Sequence, residues 1–126
     1  MKTLCEVYVR NILPALRALM AKELISNYSK SQMEVAKILG ITQASINYYL
    51  YGKRASKITK ALENIPEVRN TIRMLAKKIV KDGNTRACNV FCEFCMIIKS
   101  NENYLEKVLK AIGVERESVC LLLKNE

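Results

Sequence analysis

The sequence predicts an all-α fold, on three observations. Apolar residues recur three and four positions apart along almost the whole chain, the spacing of a helix face. No stretch alternates apolar and polar residues as a half-buried strand does. Glycine (4) and proline (2) are scarce among 126 residues, and only two short stretches read as loops, so little interrupts the helices.

Thr3-Leu4-Cys5-Glu6 reads as a capping box, the Thr capping the helix start and the Glu reaching back. It opens a helix with Val9, Ile12, Leu13, Leu16, Leu19, Met20 and Leu24 on one face, ending near Asn27-Tyr28. Pro14 lacks a backbone donor and crowds the carbonyl four residues earlier, which predicts a kink or break. Ser31-Gln32-Met33-Glu34 is a second capping box and starts a short helix through Val35, Ala36, Ile38 and Leu39. Gly40 stops it by taking the left-handed conformation. Thr42 caps the next helix, from Gln43 to about Leu50, and Gly52 stops that one. Lys53, Arg54, Lys57 and Lys60 follow, with a short helix from Ile58 to about Glu63.

Pro66 suits the first turn of another helix. Its Ile65, Val68, Ile72, Leu75 and Ile79 have the spacing of a coiled-coil seam, and equally that of a helix packed on its own domain. Asp82-Gly83-Asn84 is a turn, the cysteine-rich RACNVFCEFCMII (86–98) comes next, and Ser100-Asn101 is a cap. Leu105, Val108, Leu109 and Ile112 form a further stripe, stopped by Gly113, and a last helix holds Val119, Cys120 and Leu123.

Half the residues are apolar and 26% are charged, which fits a folded chain. The apolar runs are far shorter than the roughly 20 residues that span a bilayer. Glu6 and Arg10 soon follow Lys2 with no apolar stretch between, so the expectation is a cytoplasmic protein with no membrane partner. The net charge of +9 is unevenly spread. Residues 1–60 carry ten Lys/Arg against three acids, or +7; residues 61–126 carry eleven against nine, or +2. A basic half beside a near-neutral half predicts that the first meets a polyanion. The organisation expected is therefore a nucleic-acid-binding part at 1–60. Residues 61–126 are then a helical extension for dimerisation, with a cysteine site for metal or redox chemistry. The chain has no histidine, so a Cys/His nucleophile pair is impossible within it, and no carboxylate pair or phosphate-binding glycine loop stands out. It does not read as an enzyme.

The most specific signal is SQMEVAKILGITQASINYYLYGKR, residues 31–54: two short helices joined through Gly40-Ile41-Thr42. Small Ala36 permits a close helix crossing, and Ile41 and Ile46 fill the space between the helices. The first turn of the second helix then presents Thr42, Gln43, Ala44, Ser45, Asn47 and Tyr48 outward, the part of such a motif that enters the major groove. Gln43, and Asn47 one turn on, suit a bidentate bond to adenine, and Ala44 suits contact with a thymine methyl. Ser45, Tyr48 and the helix start at Gln32 suit phosphates, and Lys53 and Arg54 neutralise backbone charge.

Through Gln32, Ala36, Gly40, Thr42, Gln43, Ser45, Ile46, Tyr49 and Gly52-Lys53-Arg54 the segment resembles the Xre/Cro/phage-repressor family of helix–turn–helix domains. Over residues 3–54 it is similar to a group of archaeal predicted transcriptional regulators, a module that also looks to be fused to a ligand-binding domain in archaeal regulators of thiamine biosynthesis. No such ligand domain follows here, so a thiamine link is not carried over. The resemblance implies a lambda-repressor-like helix–turn–helix bundle, to which residues 61–126 add the C-terminal helical extension read from their own apolar stripes. It also implies a sequence-specific regulator that binds double-stranded DNA as a homodimer on a palindromic operator.

Cys5, Cys88, Cys92, Cys95 and Cys120 are many thiols for a cytosolic chain. Without histidine, zinc would need thiolates or a carboxylate, and an iron–sulfur cluster takes four thiolates. On one continuous helix positions 88, 92 and 95 lie within about 60° of one another and, with Phe91 and Ile98, form a stripe like a buried face. Cys88 and Cys95 would then stand about 10.5 Å apart along the axis, too far for one compact ion site. A metal site using Cys88, Cys92 and Cys95 therefore needs Cys88 in the preceding loop, with Cys5 or Cys120 as a fourth ligand. Cysteine-lined core, zinc or iron–sulfur site, and redox disulfide all stay open. Two further readings stand beside the DNA-binding regulator: one responsive to metal or redox state through these cysteines, and an antitoxin-like or adaptor protein that binds a protein partner.

Overall fold

The computed structural model describes residues 2–51, 53–81 and 87–120; for residues 2, 53–56, 87, 88 and 120 only the backbone is described. The described chain is helical apart from one two-residue strand pairing. The helices are α1 (Leu4–Val7), α2 (Leu13–Tyr28), α3 (Gln32–Leu39), α4 (Gln43–Tyr51), α5 (Lys53–Glu63), α6 (Pro66–Lys81), α7 (Ala87–Ser100) and α8 (Glu102–Ile112). A π-helical turn, Tyr8–Ile12, joins α1 to α2, and a 3-10 turn, Arg116–Ser118, precedes the C-terminal strand.

The predicted capping signals act as local chemistry requires. Ser31 and Glu34 form a reciprocal box, and Asn101 accepts from the Tyr104 amide at 3.1 Å. Gly40 and Gly113 end α3 and α8 with positive φ of 71° and 77°. At the first helix Thr3 accepts from the Glu6 amide, but the Glu6 carboxylate binds the Thr3 hydroxyl instead of reaching the backbone.

Pro14 does not break the helix. The π-helical turn lies just before it, and the Leu13 amide bonds the Tyr8 carbonyl five residues back. The wider turn absorbs the donor that proline lacks, and Pro14 sits in the first turn of α2, where an unpaired amide costs nothing. The predicted helix at Ile58 begins earlier, at Lys53, so Lys53, Arg54, Lys57 and Lys60 are all helical. Val119-Cys120 is not helical: Lys2 pairs with Val119 and Thr3 with Cys120 in parallel strands, β1 (Lys2–Thr3) and β2 (Val119–Cys120). Two residues are too short for any periodic signal, and the pairing joins opposite ends of the chain. Gly52, the turn expected at Asp82-Gly83-Asn84, and Leu123 lie outside the described residues.

The core is built around α2. Its Ala15, Leu16, Ala18, Leu19, Met20, Ala21 and Leu24 are buried nearly all round, as a central helix requires. Helices α3, α4, α5 and α6 pack on it; α8 rests on α5, and α7 on α6 and α8. One apolar cluster runs from Leu4 to Val119, across the boundary near residue 60. Val68, Ile72, Leu75 and Ile79 are buried in it, so the heptad-like spacing of α6 is satisfied within the chain. No helix among the described residues is long and apolar enough to cross a membrane.

Candidate nucleic-acid interface

Helices α3 and α4 form a short hairpin turned at Gly40 and packed on α2. Ile46 anchors α4 from beneath with no exposed surface; Val35, Ala36 and Leu39 anchor α3, with Ile41 and Leu50 packed against the same cluster. Thr42 opens α4: its hydroxyl accepts from the Ser45 amide at 3.0 Å and donates to the Ser45 hydroxyl at 2.9 Å.

With Ile46 facing inward, helical phase turns Gln43, Ala44, Asn47, Tyr48 and Tyr51 to solvent. Thr42 is also exposed, whereas Ser45 is half-buried and its hydroxyl is tied to Thr42. Tyr48 is 52% exposed and meets Tyr49 edge-on at 6.3 Å between ring centres. Gln32 is half-buried at the first position of α3. Beside it Glu34 is committed to the capping box. Bonds from the Ser31 backbone and side chain hold its carboxyl below the usual carboxylate range, so it stays ionised as part of the cap.

Lys53 and Arg54 occupy the first turn of α5 by backbone position, directly after the described end of α4. That first turn contains no acid, and Lys57 follows one turn on, exposed. Cations at a helix N-terminus oppose the helix dipole. By backbone position that turn holds two cations and no acid, an arrangement that a bound anion would relieve. Lys37 on α3, with Lys57 and Lys60 on α5, has no carboxylate within ion-pair reach among the described residues.

The cysteines fall elsewhere. Cys88 belongs by its backbone to α7, not to a preceding loop. A compact single-ion site using Cys88, Cys92 and Cys95 together is therefore ruled out by the helical rise between 88 and 95. The buried face of α7 is Val90, Phe91, Phe94 and Ile98. Cys92 and Cys95 each follow a buried Phe and are turned about 100° from it. Cys92 is accordingly exposed, whereas Cys95 is half-buried and packs against the apolar cluster, so of these two only Cys95 joins the expected cysteine-lined core face. Both line a groove of about 400 Å³ with Cys5, Tyr8, Val9, Leu13, Arg17, Phe91, Met96 and Lys99. The Tyr8 hydroxyl donates to the Phe91 carbonyl at 2.6 Å, and burial pushes that phenol above its ordinary range. Burial likewise pushes the Cys95 thiol up. Sequence reasoning missed Tyr8, Arg17 and Lys99 here, because their meeting depends on α7 docking over the π-helical turn.

Comparison with protein-family models, curated proteins and solved structures finds no match to this chain.

Proposed function

We propose that the protein is a sequence-specific DNA-binding transcriptional regulator, with α4 as its reading helix, acting as a homodimer on a palindromic operator. One observation carries the reading: α4 is pinned from below by Ile46, while Gln43, Ala44, Asn47 and Tyr48 remain exposed on its outer face. Its polar side chains are of the types that bond base edges, and the resemblance of residues 31–54 to Xre-type motifs points the same way. In this mechanism the first turn of α4 enters the major groove. Gln43 bonds an adenine edge, Ala44 lies against a thymine methyl, and Thr42 and Tyr48 contact the flanking backbone. The N-terminal amides of α3 and the cations of α5 meet phosphates and set the register. One helix reads few base pairs, and a two-fold pair reads a symmetric site of twice that length.

Selection of bound duplexes from a random pool tests this directly. The expected result is enrichment of an inverted repeat; recovery of unenriched sequence at near-physiological salt would contradict it.

A further inference from the structure

All three cysteines whose side chains are described line the same groove: Cys5 from α1, with Cys92 and Cys95 from α7. We propose that this groove is an iron–sulfur cluster site with Cys5, Cys92 and Cys95 as thiolate ligands, brought from opposite ends of the chain by the docking of α7.

The donor set is soft and uniform. Three thiols and the thioether of Met96 line the groove, and no carboxylate does. Thiolates without oxygen ligands select iron–sulfur clusters or soft ions over hard cations. The charge is complementary. A cluster with its thiolates is an anion, and the groove carries two cations, Arg17 and Lys99. Lys99 Nζ lies 4.0 Å from Cys5 Sγ, and Arg17 Nε is buried without a hydrogen-bond partner. The walls are apolar at Tyr8, Leu13 and Phe91, and the volume of about 400 Å³ accommodates a compact inorganic core.

Geometry separates a cluster from a single ion. Among the described residues no three ligating side chains converge as one ion requires. A four-iron cube instead presents its irons at separated corners, each taking one thiolate. Such a cluster takes four thiolates. Two further cysteines are brought near by the backbone: Cys88, one turn before Cys92 on α7, and Cys120, paired with Thr3 two residues before Cys5.

The test is anaerobic reconstitution of the full chain with sulfide and equal amounts of ferrous and ferric iron, which together supply the two-ferrous, two-ferric core without an added oxidant; it is read without DNA, so that its failure is separate from failure of the DNA-binding reading. The expected product binds iron and acid-labile sulfide in equal amounts, with a broad visible absorption that dithionite bleaches. Cys5→Ser, Cys92→Ser and Cys95→Ser each lose that absorption while keeping their helical circular dichroism. Single Cys88→Ser and Cys120→Ser variants then show which supplies the fourth ligand. If a serine variant fails to fold, alkylation of the unaltered protein decides: Cys5, Cys92 and Cys95 are protected when loaded and modified when stripped. Binding of zinc without sulfide, a disulfide within the groove in place of any metal, or full absorption in the triple serine variant would overturn the proposal.

Discussion

Gly40 takes a φ of 71° at the turn between α3 and α4, with open space where a Cβ would stand. Steric crowding is therefore not what requires glycine there; backbone conformation is. Gly40→Ala is expected to cost about 1–2 kcal/mol, the penalty of a left-handed L-residue. Gly40→Asn should cost less, since asparagine tolerates that region; equal losses in denaturant unfolding would point to another cause. Tyr104 carries a different prediction. It is buried against Phe94, with its hydroxyl 2.9 Å from Thr71 Oγ1. Burial raises its phenol from 10.0 to about 12, so the fold prefers the neutral form. That stability is fully present below pH 10 and is lost as pH rises toward 12. A pH series of unfolding should show this decline, shallower in Tyr104→Phe; an unchanged slope would contradict the assignment.

At the scale of elements, α4 is held chiefly by Ile46, its one fully buried side chain. Ile46→Ala is expected to cost about 2–5 kcal/mol by leaving a cavity beneath the helix. Hydrogen exchange should show that loss concentrated in α3 and α4; a loss spread evenly over the chain would mean that the hairpin has no separate identity. The elements legible in the sequence were those fixed by neighbours in the chain. The Ser31 box, the Gly40 stop, the Asn101 cap and the outward set on α4 apart from Ser45 depend on contacts within a few residues. The misjudged elements depend on distant ones. The turn at Pro14 widens instead of breaking, α5 runs straight on through its basic cluster, and Val119-Cys120 pairs with a strand at the other end of the chain.

At the scale of the whole molecule, one core unites the basic half with the C-terminal helices. The candidate DNA face was legible because its residues are contiguous, whereas the groove holding Cys5 against α7 was not, because nothing local relates residue 5 to residue 92. Helix α7 also packs on α3, so the groove and the reading hairpin share a neighbour. The central claim is that α4 reads bases while the start of α5 holds phosphate. Affinity measured on the selected operator and on altered operators, across a salt series, tests it most directly. Gln43→Ala should lose about 1–3 kcal/mol on the operator and relax preference at one base pair per half-site. Lys53→Ala should weaken every sequence alike and reduce the salt slope by about one per subunit. Equal loss from both variants on every sequence would contradict the account.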